Sequence, residues 1–156
     1  LDLKENIGVS GTWRFIWRDE NGNVIETREE HNLITQSGLN ALAAIFVGEI
    51  PVNNAIYLAV GTGTTAAASG NTKLEGEVFR KAIAVKTREL NELRFRFFFT
   101  PGEANGDWSE QGVFLAATEI TDSGQILNRI LPPGGISKVS RNTLTVEIRI
   151  PLTAVT

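Results

Sequence analysis

The sequence predicts a mainly β protein: an antiparallel, jelly-roll-like sandwich of two sheets with one short helix. Three observations carry that expectation. Apolar and polar residues alternate with a period of two in several stretches, turn residues recur at roughly ten-residue spacing, and a single stretch carries helical spacing.

In residues 9–18, Trp13, Phe15 and Trp17 alternate with Thr12, Arg14 and Arg18, as a half-buried strand requires, and Ile16 interrupts the polar side. Asn21-Gly22 supplies the positive φ of a tight hairpin, so residues 24–29 are expected to return antiparallel. Asn32 or Thr35 then caps a helix with Leu39, Leu42, Ala43 and Phe46 on one stripe, stopped by Gly48 and Pro51. That stripe is expected to plug an end or edge of the sheets. Residues 56–60 read as a buried strand, and the small residues at 61–71 as a loop. Strands follow at 78–87, 89–100, 112–118, 126–131 and 143–152, punctuated by Pro101-Gly102, Asp122-Ser123-Gly124 and Pro132-Pro133-Gly134-Gly135. The last is the cleanest: Leu144, Val146, Ile148 and Ile150 alternate with Thr145, Glu147 and Arg149. By the same rule Leu93, Phe95, Phe97 and Phe99 point inward, leaving Arg94, Arg96 and Phe98 on the other face. An apolar Phe98 there needs cover by a loop or the helix, or marks a subunit interface.

A length of 156 residues with 42% hydrophobic and 21% charged residues fits one domain, 1–156, with residues 1–8 a candidate N-terminal arm. A net charge of −3 leaves no basic surplus to offset phosphates, which disfavours nucleic acid as a partner. The absence of Cys excludes disulfides, thiolate zinc sites, Cys nucleophiles and iron–sulfur clusters. No apolar run approaches the ~18 residues of a membrane span, so membrane insertion is not expected. Leu1, in a chain without Met, implies a processed or incomplete N-terminus.

The chemistry-bearing motifs are few. Gly61-Thr62-Gly63-Thr64-Thr65-Ala66 matches the glycine pattern of a dinucleotide-binding turn, but Ser69-Gly70-Asn71 follows too soon for the helix that would aim its amides at a pyrophosphate. A surface loop is expected instead. The single histidine, His31, cannot assemble a metal triad, and no serine sits in a Gly-x-Ser-x-Gly elbow, so no catalytic residue is assigned. Asp19, Asn21 and Asn23 with Glu30 share some spacings of a calcium loop, yet Val24 stands where that loop needs glycine. Glu103, Asn105 and Asp107 with Glu110 make a second oxygen-rich turn. Both read as solvated turn residues, with no metal or cofactor expected. Trp108, among those acids, offers either a stacking face for a glycan or an anchor for the loop.

Several segments occur in one order: Asn32-Leu33-Ile34-Thr35 before a helix, Tyr57-Leu58-Ala59-Val60-Gly61-Thr62-Gly63-Thr64-Thr65, Leu74-Glu75-Gly76-Glu77-Val78-Phe79-Arg80-Lys81, and 102–114, followed by the alternating strand from Leu144. This ordered set resembles a family of small structural proteins of tailed bacteriophages, tail or tail-fibre-associated, over roughly residues 32–152. The resemblance implies a non-enzymatic virion component, assembled in the host cytoplasm, whose partners are copies of itself and other virion proteins. A tail-appendage, fibre-attachment or baseplate-type building block leads; a capsid decoration protein and a glycan-binding host-recognition adhesin are the alternatives. It carries no catalytic residue across. It marks Glu77 and Arg80 as charge partners, for each other or for a neighbouring subunit, where an exposed pair would contribute only ~0–1 kcal/mol. The candidate contact residues are Phe98, Arg94, Arg96, Glu103, Asn105, Asp107, Trp108 and Glu110.

Overall fold

A computed structural model of the chain describes residues 8–51 and 55–153. The chain opens with β1 (Gly8–Arg18) and β2 (Val24–Leu33), joined by a turn that follows from its residues. The Asp19 carboxylate accepts the N–H groups of Asn21 and Asn23, each at 2.9 Å, and Gly22 takes φ 80°. Helix α1 (Gln36–Phe46) comes next, then β3 (Ile56–Gly61), β4 (Glu77–Ala82), β5 (Val85–Glu89) and β6 (Glu92–Phe99). The chain ends with β7 (Gly106–Trp108), β8 (Glu110–Leu115), β9 (Gln125–Ile130), β10 (Ile136–Lys138) and β11 (Thr143–Thr153).

These strands build the expected mainly β sandwich with one short helix. One sheet has the order β2-β1-β11-β6-β5, the other β4-β3-β8-β9, and β10 pairs with β7; every pairing is antiparallel. The inward residues of the first sheet are those the alternation marks: Trp13, Phe15 and Trp17, Phe97 and Phe99, and Leu144, Val146, Ile148 and Ile150. They pack with Leu58, Val60, Val113 and Leu115 of the second sheet in one core. The second sheet buries its outer side as well, where Ala59, Phe114 and Ile126 pack with Leu74 from the preceding loop. β8 is therefore buried along its whole length, including the polar Glu110 and Gln111 at its start.

The helix lies against β9 at the edge of the second sheet, but not through the expected stripe: Gly38, Ala41, Leu42 and Ile45 face the core, while Leu39, Ala43 and Phe46 are exposed. Thr35, not Asn32, is its cap: the Thr35 hydroxyl accepts the Gly38 N–H at 2.9 Å and donates to the Ile126 carbonyl at 2.8 Å. Asn32 stays in β2, where its Oδ1 accepts the Trp13 indole N–H at 2.9 Å. Gly38 is the close approach that makes this docking possible, since a Cβ there would overlap the Leu127 carbonyl oxygen.

Several elements differ from the sequence expectation, among them the strand expected at 112–118, which runs Glu110–Leu115. Residues 78–87 do not form one strand: the Ile83 amide donates to Ile56 of the second sheet and the Ala84 amide to Arg96 of the first, both at 2.9 Å. The chain changes sheets between those two residues, so β4 and β5 belong to different layers. The following strand starts later than expected because Leu90, at φ 51°, turns the chain between β5 and β6. β2 runs on to Leu33, beyond the expected end at Glu29, and Ile34 continues it into an isolated bridge with Asn128 of β9. The short strands β7 and β10 were not expected, since three residues are too few to show a period. The candidate arm at 1–8 lies outside the described residues apart from Gly8, which opens β1.

Gly38→Ala is expected to destabilise the protein by about 1–3 kcal/mol, the overlap with the β9 backbone outweighing the gain in helix propensity. Gly70→Ala, where an added Cβ meets nothing within 4 Å, is expected to stay within about 0.5 kcal/mol of the parent. Urea titration of the two variants checks the contrast.

Candidate functional site

The residues singled out in the sequence fall into three separate places. Glu110 is the deepest. It opens β8 opposite Gly61 of β3, and its side chain is fully buried. Oε1 accepts the amides of Gly63 at 2.9 Å and Gly76 at 2.6 Å; Oε2 accepts the amide of Glu75 at 3.0 Å. Arg129, from β9, donates Nε to Oε2 at 2.9 Å and sets Nη2 2.8 Å from the same oxygen. Its Nη1 reaches Asn71 Oδ1 at 3.2 Å. One carboxylate thus gathers three amides and a guanidinium around the loop between β3 and β4. The glycines of the nucleotide-like pattern are explained by this approach: a Cβ on Gly61 or Gly63 would strike the Gly76 carbonyl oxygen or the Glu110 carboxylate. Burial alone would raise the carboxyl pKa of Glu110, but the Glu75 and Gly76 amides, Arg129 and the Gly63 amide outweigh it and hold the group below its ordinary value. Glu110 is therefore not a solvated loop ligand or glycan contact.

Trp108 does not face solvent either. It is 2% exposed and packs its ring 5.6 Å from that of Phe99, which makes it the anchor of the 100–110 loop and leaves no face for a sugar. Asp107 is exposed. Glu103 accepts the Lys81 ammonium at 2.6 Å and the Thr100 amide at 2.9 Å, and Asn105 Oδ1 accepts from Lys138 at 2.8 Å. Burial works against ionisation of Glu103, and Lys81 and the Thr100 amide overcome it, so its carboxyl sits below the usual range. Glu103 and Asn105 of this turn are thus tied to lysines of the same chain. Among the described residues, no three of His, Asp and Glu group as metal ligands. Asp19 is likewise engaged, by its own turn.

Arg94, Arg96 and Phe98 lie on the outer face of the first sheet, as expected. Arg94 pairs with Glu92 at 2.7 Å and Glu89 at 2.5 Å, and Arg96 pairs with Glu147 of β11 at 3.0 Å. Phe98, opposite Thr145, is 39% exposed, so neither a loop nor the helix covers it. Arg14 and Arg149 extend the same face and line a shallow groove of about 260 Å³ with Glu29 and Glu92. This is a broad, mixed-charge surface around an exposed aromatic, the composition of a protein contact rather than of a small-molecule pocket.

A cleft of about 430 Å³ opens between the ends of β2 and β9 and is lined by His31, Thr35, Ser69, Arg129, Pro132 and Pro133. Its Arg129 and Thr35 are already committed to Glu110 and to the helix cap. The Nδ1 of His31 lies 3.3 Å from Thr12 Oγ1.

No protein-family model, curated protein or solved structure matches the chain. The site is accordingly read from its own chemistry.

Glu77 and Arg80, marked as charge partners, pair with each other in a bidentate contact, Nε to Oε1 at 2.6 Å and Nη2 to Oε2 at 2.9 Å. The side chains are buried rather than exposed, at 1% and 4%. Arg80 also stacks 4.9 Å above the Phe114 ring and donates to Thr118 and Ser123, so the pair fastens the loop between β8 and β9. Arg129 and Lys138 were not singled out in the sequence. The signal for each was a charge inside an apolar alternation, Leu127-Asn128-Arg129-Ile130 and Ile136-Ser137-Lys138-Val139.

Glu110→Ala is expected to cost about 3–5 kcal/mol, because it strands a buried guanidinium and three amides. A measured loss below about 1 kcal/mol would contradict that role. The lowered pKa fixes the pH dependence: the stabilisation is present above the ordinary value of 4.5 and is lost as pH falls through the folded-state value. Glu110→Gln should therefore flatten the acid limb of the stability curve below about pH 4.5 relative to the parent.

Proposed function

We propose that the chain is a non-enzymatic structural component of a tailed-bacteriophage virion, a tail-appendage, fibre-attachment or baseplate-type building block that assembles with copies of itself and with other virion proteins. One observation supports this reading above the rest. Three of the segments that carry the family resemblance, separated in sequence, converge on the Glu110 carboxylate: Gly63 from the second, Glu75 and Gly76 from the third, and Glu110 itself from the fourth. The resembling pattern is thus a set of loop and strand-end residues that hold the shape of one end of the sandwich. Their polar atoms are spent on backbone amides and carbonyls, which serves a shaped subunit better than a reaction centre.

The subunit contact is assigned to the outer face with Arg94, Arg96 and Phe98, where arginine and an exposed aromatic stand together. Many copies arranged around a particle give avidity even where each contact is weak. The glycan-binding alternative loses its residue, since the indole of Trp108 is enclosed.

The test combines light scattering of the purified chain with peptide mass spectrometry of purified particles. A multimer that falls apart in Phe98→Asp, together with peptides of the chain in the particles, is the expected outcome. A monodisperse monomer at high concentration that is missing from the particles would refute the proposal.

A further inference from the structure

A lysine amine is buried against a side-chain amide at the junction of β7 and β10. Lys138 is 2% exposed and sits opposite Gly106 in that pairing. Its Nζ lies 2.8 Å from Asn105 Oδ1 and 3.2 Å from the Pro101 carbonyl oxygen. A neutral amine has two N–H donors and a lone pair, and two acceptors are what these groups provide. Burial pushes the amine below the ordinary lysine value, with the Glu103 charge acting in the opposite direction. The amide is fixed as well, since Asn105 Nδ2 donates to the Pro101 carbonyl at 2.9 Å. A carbonyl carbon lies about 1.2 Å from its oxygen, so Nζ is within about 4 Å of Asn105 Cγ. That is close to the separation from which a held amine attacks.

We propose that Lys138 and Asn105 form a transamidation site that closes an intramolecular isopeptide bond between β10 and the loop ahead of β7. The Nζ lone pair forms a bond to Cγ while the carbonyl π electrons move onto Oδ1. When those electrons return, the Cγ–Nδ2 bond breaks and Nδ2 leaves with the bonding pair. The proton shed by Nζ ends on the departing nitrogen, which is released as ammonia. Amine and primary amide give secondary amide and ammonia, so no oxidant or reductant is needed. Asn105 is exposed, which gives the ammonia its exit. The bond would covalently tie the 100–110 loop to the strand that follows β9.

Intact-mass measurement of the full chain with peptide mapping tests this directly. The expected result is a mass about 17 Da below that of the sequence, and a branched peptide that joins Asn105 to Lys138 with no tryptic cleavage after Lys138. Asn105-Gly106 can also lose ammonia by closing on its own backbone to a succinimide, which hydroxylamine cleaves and the isopeptide survives. Lys138→Arg should show the full mass of its own sequence. A parent chain at full sequence mass that trypsin cuts after Lys138 would overturn the proposal. So would a mass loss that persists in Lys138→Arg or is removed by hydroxylamine.

Discussion

A carboxylate sealed inside a β-sandwich is costly unless charge and hydrogen bonds surround it, and the arrangement around Glu110 meets that condition. Desolvating an ion costs several kcal/mol, and one opposite charge seldom compensates. Here the compensation comes from four directions: the Arg129 guanidinium and the amides of Gly63, Glu75 and Gly76. These amides belong to a loop that makes no sheet ladder of its own, so the carboxylate supplies the hydrogen bonds that a strand would otherwise give. Remove it and the loop loses its reason to lie where it does. With that loop goes Leu74, which closes the outer side of the second sheet.

The same device recurs at smaller scale. Arg80, paired with Glu77, binds the 116–124 loop through Thr118 and Ser123; Arg28, paired with Glu30, donates to the carbonyls of Pro133 and Gly135. In each case a cation with several donors satisfies carbonyls that turn chemistry leaves open. The sheets provide a stiff frame, and the buried charges fix the loops on it. The exposed ion pairs on the outer face, by contrast, contribute little to stability and are better suited to specificity in a contact.

Much of the fold was legible because it rests on local periodicity. Trp13, Phe15 and Trp17, and Leu144 through Ile150, face inward where a period of two places them. Arg94, Arg96 and Phe98 reach the outer face for the same reason. The sheet change between Ile83 and Ala84 was not legible, since apolar and polar residues run on through it and only the partners of two amides reveal the break. The role of Glu110 was misread because a stretch rich in acids and asparagine looks solvated, whereas burial is decided by what the rest of the chain lays over it; of the two readings of Trp108, the loop anchor is the one the packing on Phe99 supports. Gly61 and Gly63 match a nucleotide-loop pattern that the following residues rule out, and their actual cause was not legible: the absent side chains make room for a carboxylate of the same chain.

If Glu110 organises this end of the sandwich, the amides it binds must open only when the protein unfolds. Native-state hydrogen exchange measures this most directly. In the parent the amides of Gly63, Glu75 and Gly76 should exchange as slowly as those in the centre of β8, and all three should become fast together in Glu110→Gln while the amides of β1 and β11 stay protected. Rapid exchange at the three positions in the parent, comparable to exposed loop residues such as Thr72 and Lys73, would contradict the account.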